Sequence, residues 1–298
     1  MSGVATVAAQ AKINLALRVH SRDGSGYHAI ETLFARIDLA DDVVVRATSG
    51  GRSLDCRGAA WTEQIPAERN LAYRAALAYA ESGWPSGFAI EIDKRIPAGG
   101  GLGGGSADAG AVLRALNALN PRPVTEPRLL ELAAMLGADV PFLASDIPLA
   151  VGSGYGEKLL PLSPLPVAEL RLCLPNFGVA TAEAYGWLDH DRATSATSAT
   201  SARASRRSLA EVPSWAVVAA VAENDFEPVV SARHPEIAGY VRALRDAGAD
   251  VALMSGSGST VFGVWYSGPC VLRTEAIVGA TVIATRTSSR VEPVALAD

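Results

Sequence analysis

Between Pro97 and Ser106 the chain reads Pro-Ala-Gly-Gly-Gly-Leu-Gly-Gly-Gly-Ser, with six glycines in the seven positions from Gly99 to Gly105. Few architectures need so much glycine in one place. Lacking a Cβ, such residues reach positive φ at little cost, so consecutive backbone N–H groups turn toward one point and there bind an anion. The run opens onto Ala107–Leu119, rich in Ala and Leu and ended by Asn120-Pro121. That predicts a helix whose unpaired N-terminal N–H groups and dipole face the same point. Ser106 stands where it would cap the helix and meet a phosphate or its metal ion. A Walker loop is excluded, because no Gly-Lys-Ser/Thr closes the run. A dinucleotide fingerprint fits Gly99, Gly101 and Gly104, but it requires an acid at the end of a second strand about 20 residues on, and Glu126 lies instead at a helix start. On these residues alone a phosphate cradle and a plain structural turn both stay open.

The flanking sequence gives the loop a setting. Val4–Val19 and Asp41–Arg46 carry strand-like apolar recurrence, with Val43 to Val45 β-branched. Good helix formers over 70–82, followed by Gly83 and Trp84-Pro85, predict a helix. Phe88, Ile90 and Ile92 alternate with Ala89, Glu91 and Asp93, so a half-buried strand runs into the glycines. Beyond the glycine helix a second one is expected, capped by Thr125, with Pro127 in its first turn and Gly137 past its end. Prolines cluster from Leu160 to Pro166 and a new strand begins at Leu170–Leu174, which predicts an N-terminal domain 1–163 and a C-terminal domain 164–298. The Ala-Thr-Ser tract 192–208 has almost no large apolar group and reads as a disordered insertion. Ile237, Tyr240, Val241 and Leu244 share a helical face, Gly248 stops that helix, and Val251–Met254 and Val261–Trp265 read as strands around a Gly/Ser turn. The fold class is α+β.

Composition narrows the function. A chain of 298 residues with 49% hydrophobic and 19% charged residues builds ordinary globular cores. Its net charge of −5 argues against nucleic acid, since the one basic cluster, Arg203 to Arg207, lies in the Ala-Thr-Ser tract. Cys56, Cys173 and Cys270 have neither disulfide nor zinc spacing. No signal peptide or run of 18 apolar residues is visible, so the expectations are a cytoplasmic location, no membrane partner, and a monomer or homodimer.

Three segments together carry a resemblance. Gln10-Ala11-Lys12-Ile13-Asn14-Leu15, Pro97 to Asp108, and Met254-Ser255-Gly256-Ser257-Gly258-Ser259-Thr260 occur in the order of the three motifs of the galactokinase, homoserine kinase, mevalonate kinase and phosphomevalonate kinase superfamily. Within it, Gly26-Tyr27-His28, Arg69-Asn70-Leu71, Gly137-Ala138-Asp139-Val140-Pro141 and Asn224-Asp225-Phe226-Glu227 are most similar to the family that phosphorylates the 2-hydroxyl of 4-diphosphocytidyl-2-C-methyl-D-erythritol. The resemblance implies a two-domain fold: an N-terminal domain with a left-handed βαβ unit, a ferredoxin-like C-terminal domain, and an active site in the cleft between them. It implies ATP and Mg²⁺, with no protein carboxylate assigned to the metal, and a small cytidine-diphosphate substrate.

It also implies roles. Asp139 would be the base and Lys12 its partner, a pairing that suits phosphoryl transfer because a carboxylate takes the hydroxyl proton while an ammonium offsets charge on the reacting oxygens. Read without the resemblance, Asp139 is as well explained by bonds to local N–H groups in a loop, and Lys12 by an edge strand facing water. Pro97, Gly99, Gly100, Gly101, Leu102, Gly103, Gly104, Gly105 and Ser106 would hold the triphosphate, with Asn70, Leu71 and Lys94 near the adenine. Tyr27 and Tyr185 would sandwich the cytosine, His28 would bond its edge, and Asn14 and Thr181 would lie near the substrate. Three departures stand out: Asp23-Gly24-Ser25-Gly26-Tyr27-His28 is two residues longer than the usual Asp-Gly-Tyr-His, Tyr185 stands where Phe is common, and Ala107 replaces a frequent Ser. The alternatives are another kinase of the superfamily, acting on homoserine or mevalonate, and a catalytically silent nucleotide-binding protein.

Overall fold

The computed structural model describes residues 3–24, 26–60, 65–194 and 207–297. Two long strands, β1 (Val4–Arg22) and β2 (His28–Thr48), form an antiparallel hairpin from Val4 opposite Arg46 to Arg22 opposite His28. Along it β3 (Arg52–Arg57), helix α1 (Leu71–Ala80) and β4 (Gly87–Asp93) form a unit in which β3 and β4 pair in parallel and β4 pairs antiparallel with β2. The fixed side-chain alternation of a strand puts Phe88, Ile90 and Ile92 into the core, as the sequence expects.

Helices α2 (Gly104–Leu119), α3 (Glu126–Leu136) and α4 (Val140–Ala144) follow, then β5 (Leu149–Ser153) and β6 (Lys158–Pro161), with β5 pairing with the first half of β2. Every residue of α2 from Ala107 to Leu116 is buried; small side chains on several faces let sheet and neighbouring helices approach closely. Thr125 occupies the position before α3, but its side chain makes no capping bond. This corrects the capping role read from sequence, and Pro127 with its preset φ starts the helix instead.

The second sheet is antiparallel in the order β10-β7-β9-β8, built from β7 (Glu169–Pro175), β8 (Val251–Met254), β9 (Val261–Trp265) and β10 (Ala280–Arg286). In chain order this is the 4-1-3-2 arrangement of a ferredoxin-like sheet. Helices α5 (Thr181–Thr194), α6 (Trp215–Val221), α7 (Glu227–Ser231) and α8 (Pro235–Asp246) lie between β7 and β8. Ile237, Tyr240, Val241 and Leu244 form the buried face of α8. Of the Ala-Thr-Ser tract, Arg192 to Thr194 belong to α5, and 195–206 lie outside the described residues. The last strand, β11 (Ala295–Ala297), returns to pair with β1. Leu170, Leu172 and Phe262 pack in one core with Ile13 and Leu113, while Leu17 and Val19 pack with Phe226 and Met254. The sheets therefore meet along β1, which carries Lys12 and Asn14.

Candidate active site

Lys12 and Asn14 are two apart on β1 and so share a face, between register shifts at Gln10/Lys12 and Asn14/Ala16. Such irregularities re-aim side chains. Lys12 is 3% exposed; its ammonium donates to Asn14 Oδ1 at 2.7 Å and to the Gly101 carbonyl at 3.0 Å, and lies 3.3 Å from Asp139 Oδ2. Asn14 in turn donates to Thr32 Oγ1 at 2.8 Å. A buried ammonium is tolerable only when its protons and charge are matched, so these contacts hold it in one orientation. It does not face water, as an edge-strand lysine would.

Asp139 sits just before α4 and makes no side-chain capping bond there, so it does not serve local N–H groups. What holds α4 is Arg36, buried at 1% exposure, which donates to the Phe142 and Ser145 carbonyls at 2.7 and 2.8 Å. These bonds satisfy the helix's C-terminal acceptors. Phe34 stacks on Phe142 at 5.0 Å. Burial, and then the charge of Arg114, push the Arg36 guanidinium down to about 9, which leaves it protonated at neutral pH. The Asp139 carboxylate is thereby fixed at the lip of a cleft, 31% exposed and open to a ligand.

That cleft, about 480 Å³, is lined by Lys12, Asn14, every residue from Pro97 to Ser106, Asp139, Tyr155, Thr181, Tyr185 and Gly256 to Gly258. The glycine run takes left-handed φ at Gly99, Gly101 and Gly103, near +72°, +76° and +73°, an alternation that side chains with a Cβ resist. Gly103 is the residue before α2, and the Lys12 backbone N–H donates to the Leu102 carbonyl at 3.1 Å. Ser106 lies inside the first turn of α2 rather than capping it, because the helix begins at Gly104, three residues earlier than the Ala/Leu composition predicts. With Gly103 in place of a capping side chain, the first N–H groups of α2 are left for a ligand.

On the far side of the run a second cavity, about 540 Å³, brings together Asn70, Leu71 and Lys94 with Gly99, Gly104 and Gly105. Asn70 Oδ1 accepts from Ala72 N at 2.9 Å, capping α1. The Lys94 ammonium is committed to Asp41 and to Asp108 Oδ2, so its stem, not its charge, is available to a nucleotide. Asp108 Oδ1 has no partner among the described residues. Burial pushes the Asp108 carboxyl up to about 8, with the charge of Asp41 adding to the rise and Lys94 opposing it, since two buried carboxylates share one ammonium. The sequence reading did not connect Asp41, Lys94 and Asp108; only their approach in space does.

The residues assigned to the nucleobase are arranged differently from a Tyr27/Tyr185 sandwich. Tyr185 lines the cleft, but His28 already stacks on it at 5.0 Å, and Phe226 meets it edge-on at 4.9 Å. Burial, then the charge of Asp139, raise the Tyr185 phenol above its ordinary value. Both His28 nitrogens are engaged, Nδ1 with the His20 carbonyl at 2.7 Å and Nε2 with Asp189 at 3.1 Å, and His28 does not line the cleft. Tyr27, 69% exposed, does not line it either. Thr181 Oγ1 lies 3.0 Å from Ser257 Oγ at the Gly/Ser turn. Tyr155 was not anticipated; an isolated aromatic between Gly154 and Gly156 was its one sequence signal.

Comparison with known proteins places the whole chain in a family. The model described as GHMP kinases N terminal domain matches residues 70–154, and that described as GHMP kinases C terminal matches 207–266. A 4-diphosphocytidyl-2-C-methyl-D-erythritol kinase of Pelotomaculum thermopropionicum is 42% identical over 266 residues, 88% of this chain and 89% of that one. The enzyme of that name from Nitratidesulfovibrio vulgaris is 38% identical over 269 residues, 89% and 91% of the two chains. A crystal structure of a 4-(cytidine 5'-diphospho)-2C-methyl-D-erythritol kinase superposes with a TM-score of 0.71 at 36% identity, covering 95% of this chain and 98% of that one. With relatives this similar over nearly the whole length, the chain belongs to the 4-diphosphocytidyl-2-C-methyl-D-erythritol kinase family of the GHMP kinases.

Proposed function

We propose that this protein transfers the γ-phosphoryl group of ATP to the 2-hydroxyl of 4-diphosphocytidyl-2-C-methyl-D-erythritol, a step toward isoprenoid precursors. The observation that carries the reading is the Lys12–Asp139 pair, 3.3 Å apart, in the same cleft as the glycine run and the open end of α2. The triphosphate lies along Gly99–Ser106, where backbone N–H groups and the α2 dipole balance its charge. The acceptor hydroxyl enters beside Asp139 and gives its proton to that carboxylate. As its oxygen bonds to the γ-phosphorus, the bond from that phosphorus to the β–γ bridging oxygen breaks and ADP leaves. Lys12, held by Asn14 and the Gly101 carbonyl, orients the carboxylate and offsets charge on the transferring group.

Mg²⁺, when bound with the nucleotide, spreads charge over the phosphate oxygens. The Ser106 hydroxyl lines the cleft as an oxygen donor suited to it. Among the described residues no group of three or more His, Cys, Asp or Glu could cage a metal, so nucleotide and water oxygens would supply the remaining ligands. Free Cys56, Cys173 and Cys270 suit a reducing, ATP-rich cytoplasm.

The test is ADP release with three candidate acceptors: the cytidine substrate, homoserine and mevalonate. ADP is expected with the first only, and Asp139→Asn is expected to abolish it. Equal turnover with homoserine or mevalonate, or parental turnover by the Asn variant, would contradict the reading.

A further inference from the structure

We propose that Thr32 is a positioning residue for the phosphoryl transfer: its hydroxyl fixes which way round the Asn14 amide stands, and that amide in turn holds the Lys12 ammonium. The inference rests on the roles given above to Lys12 and Asp139 and is independent of which alcohol accepts the phosphoryl group.

The direction of these bonds is fixed because each end of the series admits one role only. The Lys12 ammonium has three protons and no lone pair, and three oxygens face it: Asn14 Oδ1 at 2.7 Å, the Gly101 carbonyl at 3.0 Å and Asp139 Oδ2 at 3.3 Å. At the other end the Ala16 carbonyl can only accept, and it takes the Thr32 hydroxyl proton at 2.8 Å. With its one proton committed there, the Thr32 oxygen can only accept from Asn14, whose Nδ2 donates to it at 2.8 Å. An amide held by its NH2 at Thr32 must turn its oxygen to Lys12. Reversed, it would set donor against donor and leave the ammonium one acceptor short. Water has little access to correct such a fault, since Thr32 is 0% exposed and Lys12 and Asn14 are 3% each. Thr32 stands opposite Leu17 in the β1–β2 register, and the register shift between Asn14 and Ala16 lies between the two groups that its hydroxyl joins. Bulges of this kind re-aim side chains. Thr32 does not line the cleft, so it acts through Asn14 and Lys12 rather than on a ligand.

The experiment measures kcat and ATP KM for ADP release by the full-length parent, Thr32→Val and Thr32→Ser, and by Thr32→Val combined with Lys12→Met. Urea unfolding checks that each is folded. Thr32→Val keeps the shape and removes the hydroxyl; kcat is expected to fall about tenfold, as befits a buried amide left unpaired, with ATP KM altered by less than about twofold. Thr32→Ser keeps the hydroxyl and should restore kcat to within about threefold of the parent. In the Lys12→Met background Thr32→Val should change kcat by less than about twofold, because the group it positions is gone. A role confined to packing predicts the same loss in both backgrounds, and that result would overturn the inference. So would parental kcat in Thr32→Val, or a Ser variant as slow as the Val variant. Should Thr32→Val not fold, Thr32→Cys takes its place, a thiol being a poor acceptor. If the parent releases no ADP with the cytidine acceptor, the acceptor assignment fails, and solvent exchange of the Asn14 side-chain amide protons, followed by NMR on acceptor-free protein, still decides about Thr32. That exchange should be at least about tenfold faster in Thr32→Val than in the parent, and equal rates would overturn the relay.

Discussion

Gly101→Ala isolates the contact on which the proposed triphosphate cradle depends. Gly101 has φ near +76°, and a Cβ built on it would lie 2.1 Å from the Ser255 carbonyl oxygen and 3.3 Å from that of Gly258. Those carbonyls belong to a turn closed by its own bond from Gly258 N to Ser255 O at 3.0 Å. The Gly101 carbonyl is itself gripped by Lys12 Nζ and Ser255 Oγ, each at 3.0 Å. No flexible side chain is available to give way, so backbone must separate by roughly 1 Å or more before contact becomes ordinary. Gly99 is the natural control, because it has nearly the same φ, +72°, with nothing within 4 Å of its Cβ position. Gly99→Ala therefore costs only the left-handed penalty, about 1–2 kcal/mol. Gly101→Ala costs that penalty plus overpacking of about 1–3 kcal/mol. Catalysis should suffer more than stability, since a displacement near 1 Å at a positioning element costs about a hundredfold in rate. Urea denaturation and kcat/KM for ADP release, measured on both variants, test this. If Gly101→Ala matches Gly99→Ala in both, the packing of the glycine run against the Ser255–Gly258 turn is not what holds the cradle.

Lys12→Met keeps the bulk of the stem and removes the charge; kcat/KM is expected to fall about 10²- to 10³-fold, with urea showing the variant folded, and an activity above a tenth of the parent's would sink the role given to Lys12. The Asp108 carboxyl, raised to about 8 in the fold from near 4 in the unfolded chain, binds its proton more tightly when native. Its contribution to stability is therefore present at low pH and is lost as pH rises between those values. Asp108→Asn should accordingly show a smaller fall in urea midpoint from pH 6 to pH 9 than the parent, and identical slopes would refute the assignment.

Much of this molecule is written locally. Alternation over Phe88–Asp93, the glycine run and the Ala-rich stretch after it specify strand, loop and helix in that order, because each depends on side-chain period or on the φ that a missing Cβ permits. The same holds for the one-sided pattern of α8 and for Val251–Met254 and Val261–Trp265. Misreadings occurred where a local rule met a nonlocal neighbour. Ser106 looks like a helix cap, but Gly103 can take the left-handed turn and the helix starts before the serine. Lys94 lines the cavity with Asn70 and Leu71, but nothing in its own segment announces that Asp108 and Asp41, the latter on β2 and 53 residues away along the chain, hold its ammonium.

The sequence by itself determined the glycine loop, the helix behind it and the kinase family, through short motifs whose order survives without coordinates. Tertiary structure alone decided that the second sheet packs along β1 of the first, that Lys12 meets Asp139, 127 residues away along the chain, at 3.3 Å, and that β11 closes back on β1. It also decided that Tyr155, on a turn beyond β5, lines the same cleft as Tyr185. Backbone conformation follows from each residue's own sterics and period, whereas the pairing of charges and rings follows from which distant segments the core brings together, and that is settled only when the whole chain has packed.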